Sequence, residues 1–133
     1  MFKLPFKIFS LIIFLLNTSY LHAFEEVGKG TVSISAVTTF ERNKELIIID
    51  ATKIACKDAL KKYVSTFTID KKKNYDKIKS KIEKDYLNYM VCDKIIDENL
   101  DVAASKFTIL VKADIDETKI NQALIESSAI ANT

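Results

Sequence analysis

One stretch constrains the possible folds more than any other: Asn43 to Tyr63, NKELIIIDATKIACKDALKKY. Ala51, Ala55 and Ala59 recur every fourth residue, which stacks them on one ridge of a helix. Ile47, Ile48, Ile54 and Leu60 flank the ridge, and Cys56 and Tyr63 lie on the same broad arc. On a wheel turning 100° per residue, Asp50, Lys53, Lys57 and Lys61 gather on about a quarter of the circumference. Asp58 and Lys62 fall at the rim of the apolar arc. The pattern predicts a helix enclosed on most sides, lying close against whatever it covers because its ridge carries only methyl groups. The remaining elements must therefore supply a surface for that ridge.

The first 23 residues read as an export signal and not as part of the fold. Lys3 and Lys7 form a basic start, and Ile8 to Leu16 form a short apolar run. Asn17-Thr18-Ser19 breaks it, and Ala23 offers a small residue for cleavage. The other reading is a membrane anchor, but this run is too short for a hydrocarbon layer of about 30 Å. No cysteine sits at the end of this run, the next being Cys56, so a lipid anchor is not expected. The full chain has 20 basic and 18 acidic residues, and losing Lys3 and Lys7 balances them. Net charge thus gives no reason to expect a nucleic-acid partner.

What remains reads as one small domain over 30–127, with a flexible leader at 24–29 and a tail at 128–133. The single histidine, His22, precedes the expected cut, and Gly28 and Gly30 are the sole glycines. Histidine-dependent nucleophilic catalysis is excluded for residues 24–133. Glycine-rich phosphate loops are excluded as well. We expect a protein that is not an enzyme and carries no cofactor or metal.

Along the chain, Thr31 to Ala36 alternates as a strand whose buried side holds Val32, Ile34 and Ala36. A turn is expected at Thr38 to Glu41, with Thr39 or Asn43 capping the alanine-ridge helix. Val64 to Ile69 reads as a short strand and 70–74 as a polar link. A second helix is expected from Tyr75 to Met90, and a strand from Val91 to Asn99 despite its adjacent Ile95 and Ile96. After a loop at 100–105, Lys106 to Asp116 alternates most clearly, with Phe107, Ile109, Val111, Ala113 and Ile115 on one side. A final helix covers Glu117 to Ser127. The fold class is α+β, in the order β-α-β-α-β-β-α, with a mainly antiparallel sheet covered on one face by helices.

Three groups of residues merit a chemical reading. Cys56 and Cys92 are the two cysteines, and export favours a disulfide over two buried thiols. Closing that loop would contribute roughly 3–4 kcal/mol in the chain-entropy model. Seven lysines lie between Lys71 and Lys84 around Tyr75. They fit a solvated helix face with i,i+4 charge pairs better than an anionic-ligand surface. Asp114, Asp116 and Glu117 fit a helix start better than a calcium loop, because the glycine and spacing of such a loop are missing.

A strand after Gly28-Lys29-Gly30, then the Ala51, Ala55 and Ala59 helix ending in DALKKY, resembles the N-terminal domain of the bacterial flagellar assembly protein T. Small envelope lipoprotein domains show the same order. The resemblance extends through YMVCDKIIDENL and KFTILVKADID to Ile125. It implies a periplasmic or secreted envelope domain that acts in structure or assembly by contact with a protein partner. The alternative is a binding domain for a small apolar or lipid ligand, lined by Tyr75, Tyr86, Tyr89 and Phe107.

Overall fold

The computed structural model describes residues 23–131 of the chain; residues 1–22, all but the last of the 23 expected to form an export signal, lie outside the described residues. The elements are β1 (Ala23–Ser33), α1 (Val37–Arg42), α2 (Lys44–Val64), α3 (Ile69–Lys84), a short 3-10 turn (Tyr86–Asn88), β2 (Met90–Asp101), β3 (Lys106–Asp116) and α4 (Glu117–Ala131). The sheet order is β1-β3-β2, with both pairings antiparallel. The class is α+β as expected, with helices on one face of an antiparallel sheet.

β3 is central because it alone is apolar along one whole side. Phe107, Ile109, Val111, Ala113 and Ile115 are all buried. The other face is mostly polar, with Leu110 among Lys106, Thr108, Lys112 and Asp114, as an antiparallel sheet with one solvated side allows. There Thr31 and Thr108 hydroxyls meet at 3.1 Å, and Lys112 pairs with Glu25 at 3.1 Å.

The alanine-ridge helix, α2, lies over β1 and β3. Ala51, Ala55 and Ala59 are fully buried, and they face Gly28 and Gly30. A Cβ on Gly28 would overlap the Ala55 carbonyl oxygen and stand 2.9 Å from Ala59 N. A Cβ on Gly30 would overlap the Ala51 carbonyl oxygen and stand 2.7 Å from Ala55 N. Glycine is needed at both positions for close approach of two backbones, not for an unusual dihedral.

Several expected boundaries differ, each for a local reason. The leader expected at 24–29 is the first half of β1, which runs eleven residues and pairs with β3 from Ala23↔Asp116 to Ser33↔Lys106. Its glycines lie inside the strand rather than before it. The turn expected at Thr38 to Glu41 is α1. Asn43 joins α1 to α2 through its backbone and makes no side-chain cap bond.

The strand expected at Val64 to Ile69 does not form. Ser65 and Thr66 hydroxyls donate back to the Lys62 and Tyr63 carbonyls, and Thr68 Oγ1 caps α3 by accepting from Lys71 N at 3.3 Å. The hydroxyls that made this segment look β-prone instead close one helix and open the next. So α3 starts six residues before the expected Tyr75 and stops at Lys84. The order is therefore β-α-α-α-β-β-α.

α2 is also less enclosed than its sequence implied. Leu46, Ile49 and Ile54 are exposed, because the sheet lies on one side of it and, among the described residues, no second layer covers the other. α4 continues to Ala131, into the segment expected as a tail.

Gly30→Ala should overpack the β1–α2 contact at the top of the usual cost, about 3 kcal/mol. The corresponding fall in melting temperature is roughly 10 °C or more. A melting curve unchanged by this substitution would mean that the two backbones are farther apart than described.

Candidate functional site

The side chains that reach out from α2 organise both edges of the sheet. On the β1 side, Asp58 Oδ2 accepts from Lys29 N at 2.8 Å. Lys62 Nζ donates to the Val27 carbonyl at 2.9 Å and meets Asp58 at 3.4 Å. These two residues were expected at the rim of the apolar arc, and there they occupy backbone groups that an edge strand would otherwise leave open. The ion pair itself is exposed, and such pairs contribute little to stability. Its consequence lies in the backbone groups it covers.

On the opposite flank, Cys56 of α2 and Cys92 of β2 lie at disulfide distance, with Cα atoms 6.0 Å apart and a sequence separation of 36. Both are buried. The sequence pairing is thus brought together by the fold: Cys56 sits one position past Ala55 on the helix, turned toward β2.

Beyond Cys92, β2 loses its cover. Asp93 to Asn99 are all exposed although the segment is strand. The pairing with β3 shifts between Val91 and Lys94 and again between Ile95 and Asp97. Each shift places an extra residue on β2, which bends and twists the strand. The second resolves the adjacent isoleucines. Ile96 is the inserted residue, and Ile95 and Ile96 remain 40% and 49% exposed. Val91 is 59% exposed. Past the shifts, the ladder runs unbroken from Asp97↔Leu110 to Asp101↔Lys106.

The other expected groups find ordinary roles. Lys72, Lys73, Lys77, Lys79, Lys81 and Lys84 of α3 are exposed, and Lys71 lies 4.2 Å from the centre of the Phe67 ring. The i,i+4 charge pairs expected on this helix are not formed; the i,i+4 pair among the described residues is Lys62–Asp58 on α2. Asp116 caps α4, with its Oδ1 accepting from Lys119 N at 3.2 Å. Among the described residues, no three His, Cys, Asp or Glu side chains are grouped to hold a metal ion.

The four aromatics considered for an apolar ligand are not brought together. Phe107 packs on Phe40 with ring centres 5.0 Å apart. Tyr75 instead ends a chain through Phe67 and Tyr63 to Phe24, whose neighbour on β3 is Ile115. Eight residues of β3 separate the two clusters, about 27 Å at strand rise. A groove of about 290 Å³ does lie between α3 and α4, lined by Ile78, Lys81, Ile82, Ala123, Glu126 and Ser127. It is at the lower limit of ligand pockets.

Two tyrosines of the aromatic chain are perturbed. Burial, then the charges of Glu83 and Asp76, push Tyr75 up to about 12. Burial raises Tyr63 further, with the nearby Glu117 carboxylate adding charge. The Tyr63 hydroxyl has no partner within hydrogen-bond geometry among the described residues, so Glu117 acts on it through space.

Comparison with protein-family models, curated proteins and solved structures returns no match for this chain. Among the described residues, no helix is long and apolar enough to cross a membrane.

The tyrosines generate a pH prediction. Folding raises the Tyr75 pKa, so its stabilising effect is complete below the unfolded value near 10 and is lost as pH rises toward 12. Chemical denaturation across that range should show stability falling by on the order of 2 kcal/mol from this group. Tyr75→Phe should flatten part of the slope, and an unchanged slope would contradict the assignment. Reduction of Cys56–Cys92 should lower stability by roughly 3–4 kcal/mol. Denaturation curves that superimpose with and without reductant would contradict a stapling role.

Proposed function

We propose that this chain is an exported, non-enzymatic domain of the cell envelope, periplasmic or secreted, that serves structure or assembly by contact with another protein. The observation that carries this reading is the set of large apolar side chains left uncovered on a small domain. Leu46, Ile49 and Ile54 stand on α2, and Val91, Ile95 and Ile96 on β2. Scattered exposed apolar residues are ordinary on protein surfaces. Here they recur along two neighbouring elements, and one of these is an edge strand whose outer backbone side is unpaired among the described residues. Such edges are natural sites of strand pairing between chains.

The cysteine pair supports the compartment. Disulfides persist where the environment is oxidising and are rare in the cytosol. The amino-terminal residues agree with it through the basic start, apolar run and Ala23. The resemblance to the N-terminal domain of flagellar assembly protein T points the same way, toward an envelope assembly factor.

A photo-reactive amino acid placed at position 46, 54 or 96 tests this in cells. The expected result is a discrete adduct with another protein, from at least one position, in the extracytoplasmic fraction. Retention of the chain in the cytoplasm, or no adduct from any of the three positions, would contradict the reading.

A further inference from the structure

The two edges of the sheet are treated differently, and the difference identifies what the open one accepts. β1 is sealed at Val27 and Lys29 by Lys62 and Asp58. Among the described residues, no side chain donates to or accepts from the backbone of Asp93 to Leu100. Along an antiparallel edge, alternate residues point their N–H and C=O groups away from the sheet. The regular run from Asp97 to Asp101 therefore offers a short ladder to an added strand.

The side chains on that run specify the chemistry of the added strand. Asp97, Asn99 and Asp101 stand opposite Leu110, Thr108 and Lys106, on the polar face of the sheet. Glu98 and Leu100 stand on the helix side, opposite Ile109 and Phe107. Asp93 lies just upstream, and Lys94 is the lone basic residue of the strand. The ion pairs among the described residues are Lys62–Asp58 and Lys112–Glu25, so none of the four β2 carboxylates is in one.

We infer that the Asp97–Asp101 edge of β2 takes an extended segment of a partner protein as a fourth strand, and that this segment is basic, with Lys or Arg at alternate positions. The inference rests on the proposed contact function and names the site and chemistry of that contact. Opposite charges facing across strands attract, and like charges directly opposite repel. A second copy pairing β2 with β2 would set carboxylates against carboxylates, so the chain is a poor partner for itself. Its own lysine-rich segment is helical and exposes no strand backbone. The bulges and acidic side chains prevent indiscriminate edge pairing, while leaving a charge-matched strand admissible.

The test uses the ¹⁵N-labelled chain purified after export and two capped peptides, Thr-Lys-Val-Lys-Val-Lys-Thr and its Lys-to-Glu counterpart. With the lysine peptide, the largest amide shifts should fall on Asp97 to Asp101, and affinity should weaken as salt rises from about 0.05 to 0.3 M. The glutamate peptide should not bind. Asp97→Asn with Asp101→Asn should weaken binding about tenfold, and Asp97→Lys with Asp101→Lys should abolish it. The melting temperature checks that both variants fold. Shifts centred on α2, α3 or the polar sheet face would overturn the inference, as would equal binding of both peptides or a β2–β2 dimer. Should those results coincide with in-cell adducts from position 46 or 54, the contact function stands and the β2 edge is not its site.

Discussion

The structure depends on the close approach of two backbones, β1 at Gly28 and Gly30 and α2 at Ala51, Ala55 and Ala59. Neither surface has side chains to hold the other away, so the helix settles directly onto the strand. Dispersion attraction falls off steeply with distance, and this approach turns weak contacts into a continuous interface. It also sets the helix sideways. Lying over β1 and β3, α2 can pass Asp58 and Lys62 beyond the outer edge of β1, and can turn Cys56 toward Cys92 on the far side of β3. One packing constraint thus governs both edges.

The same constraint leaves β2 uncovered. A helix seated over β1 cannot also shield the far half of β2, and α3 and α4 pack against each other elsewhere. Cys92 is the last well-buried residue of β2. The strand bulges once around it and once past it, gathers carboxylates and exposes two isoleucines. The sealed edge and the open edge are therefore two outcomes of one placement. The open one concentrates the features a protein contact uses: free backbone groups, apolar side chains and unpaired charge.

Much of this was legible in the chain itself. β3 read correctly from end to end because its alternation serves one buried and one solvated face without interruption. The alanine ridge marked α2, and the compartment argument linked Cys56 with Cys92 before any geometry. Other parts were not legible because their residues serve two purposes. Ser65, Thr66 and Thr68 have strand propensity and capping ability alike, and only the neighbouring helices decide between them. Gly28 and Gly30 read as strand-flanking residues, because the methyl-only ridge opposite them lies more than twenty positions away in sequence. Asp58 and Lys62 looked like rim residues of no special use, since an edge strand is a property of the sheet and not of the helix. Ile95 and Ile96 conflicted with a period of two, and the conflict was itself the trace of a bulge.

Native-state hydrogen exchange tests the central claim directly, because it reads the protection of each edge residue by residue. The Lys29 amide, held by Asp58 on an outer edge, should exchange about as slowly as the central amides of β3. Amides of Asp93 to Asn99 that point away from β3 should exchange orders of magnitude faster. A fast Lys29 amide, or uniformly slow exchange along β2, would contradict the claim that α2 seals one edge and leaves the other open.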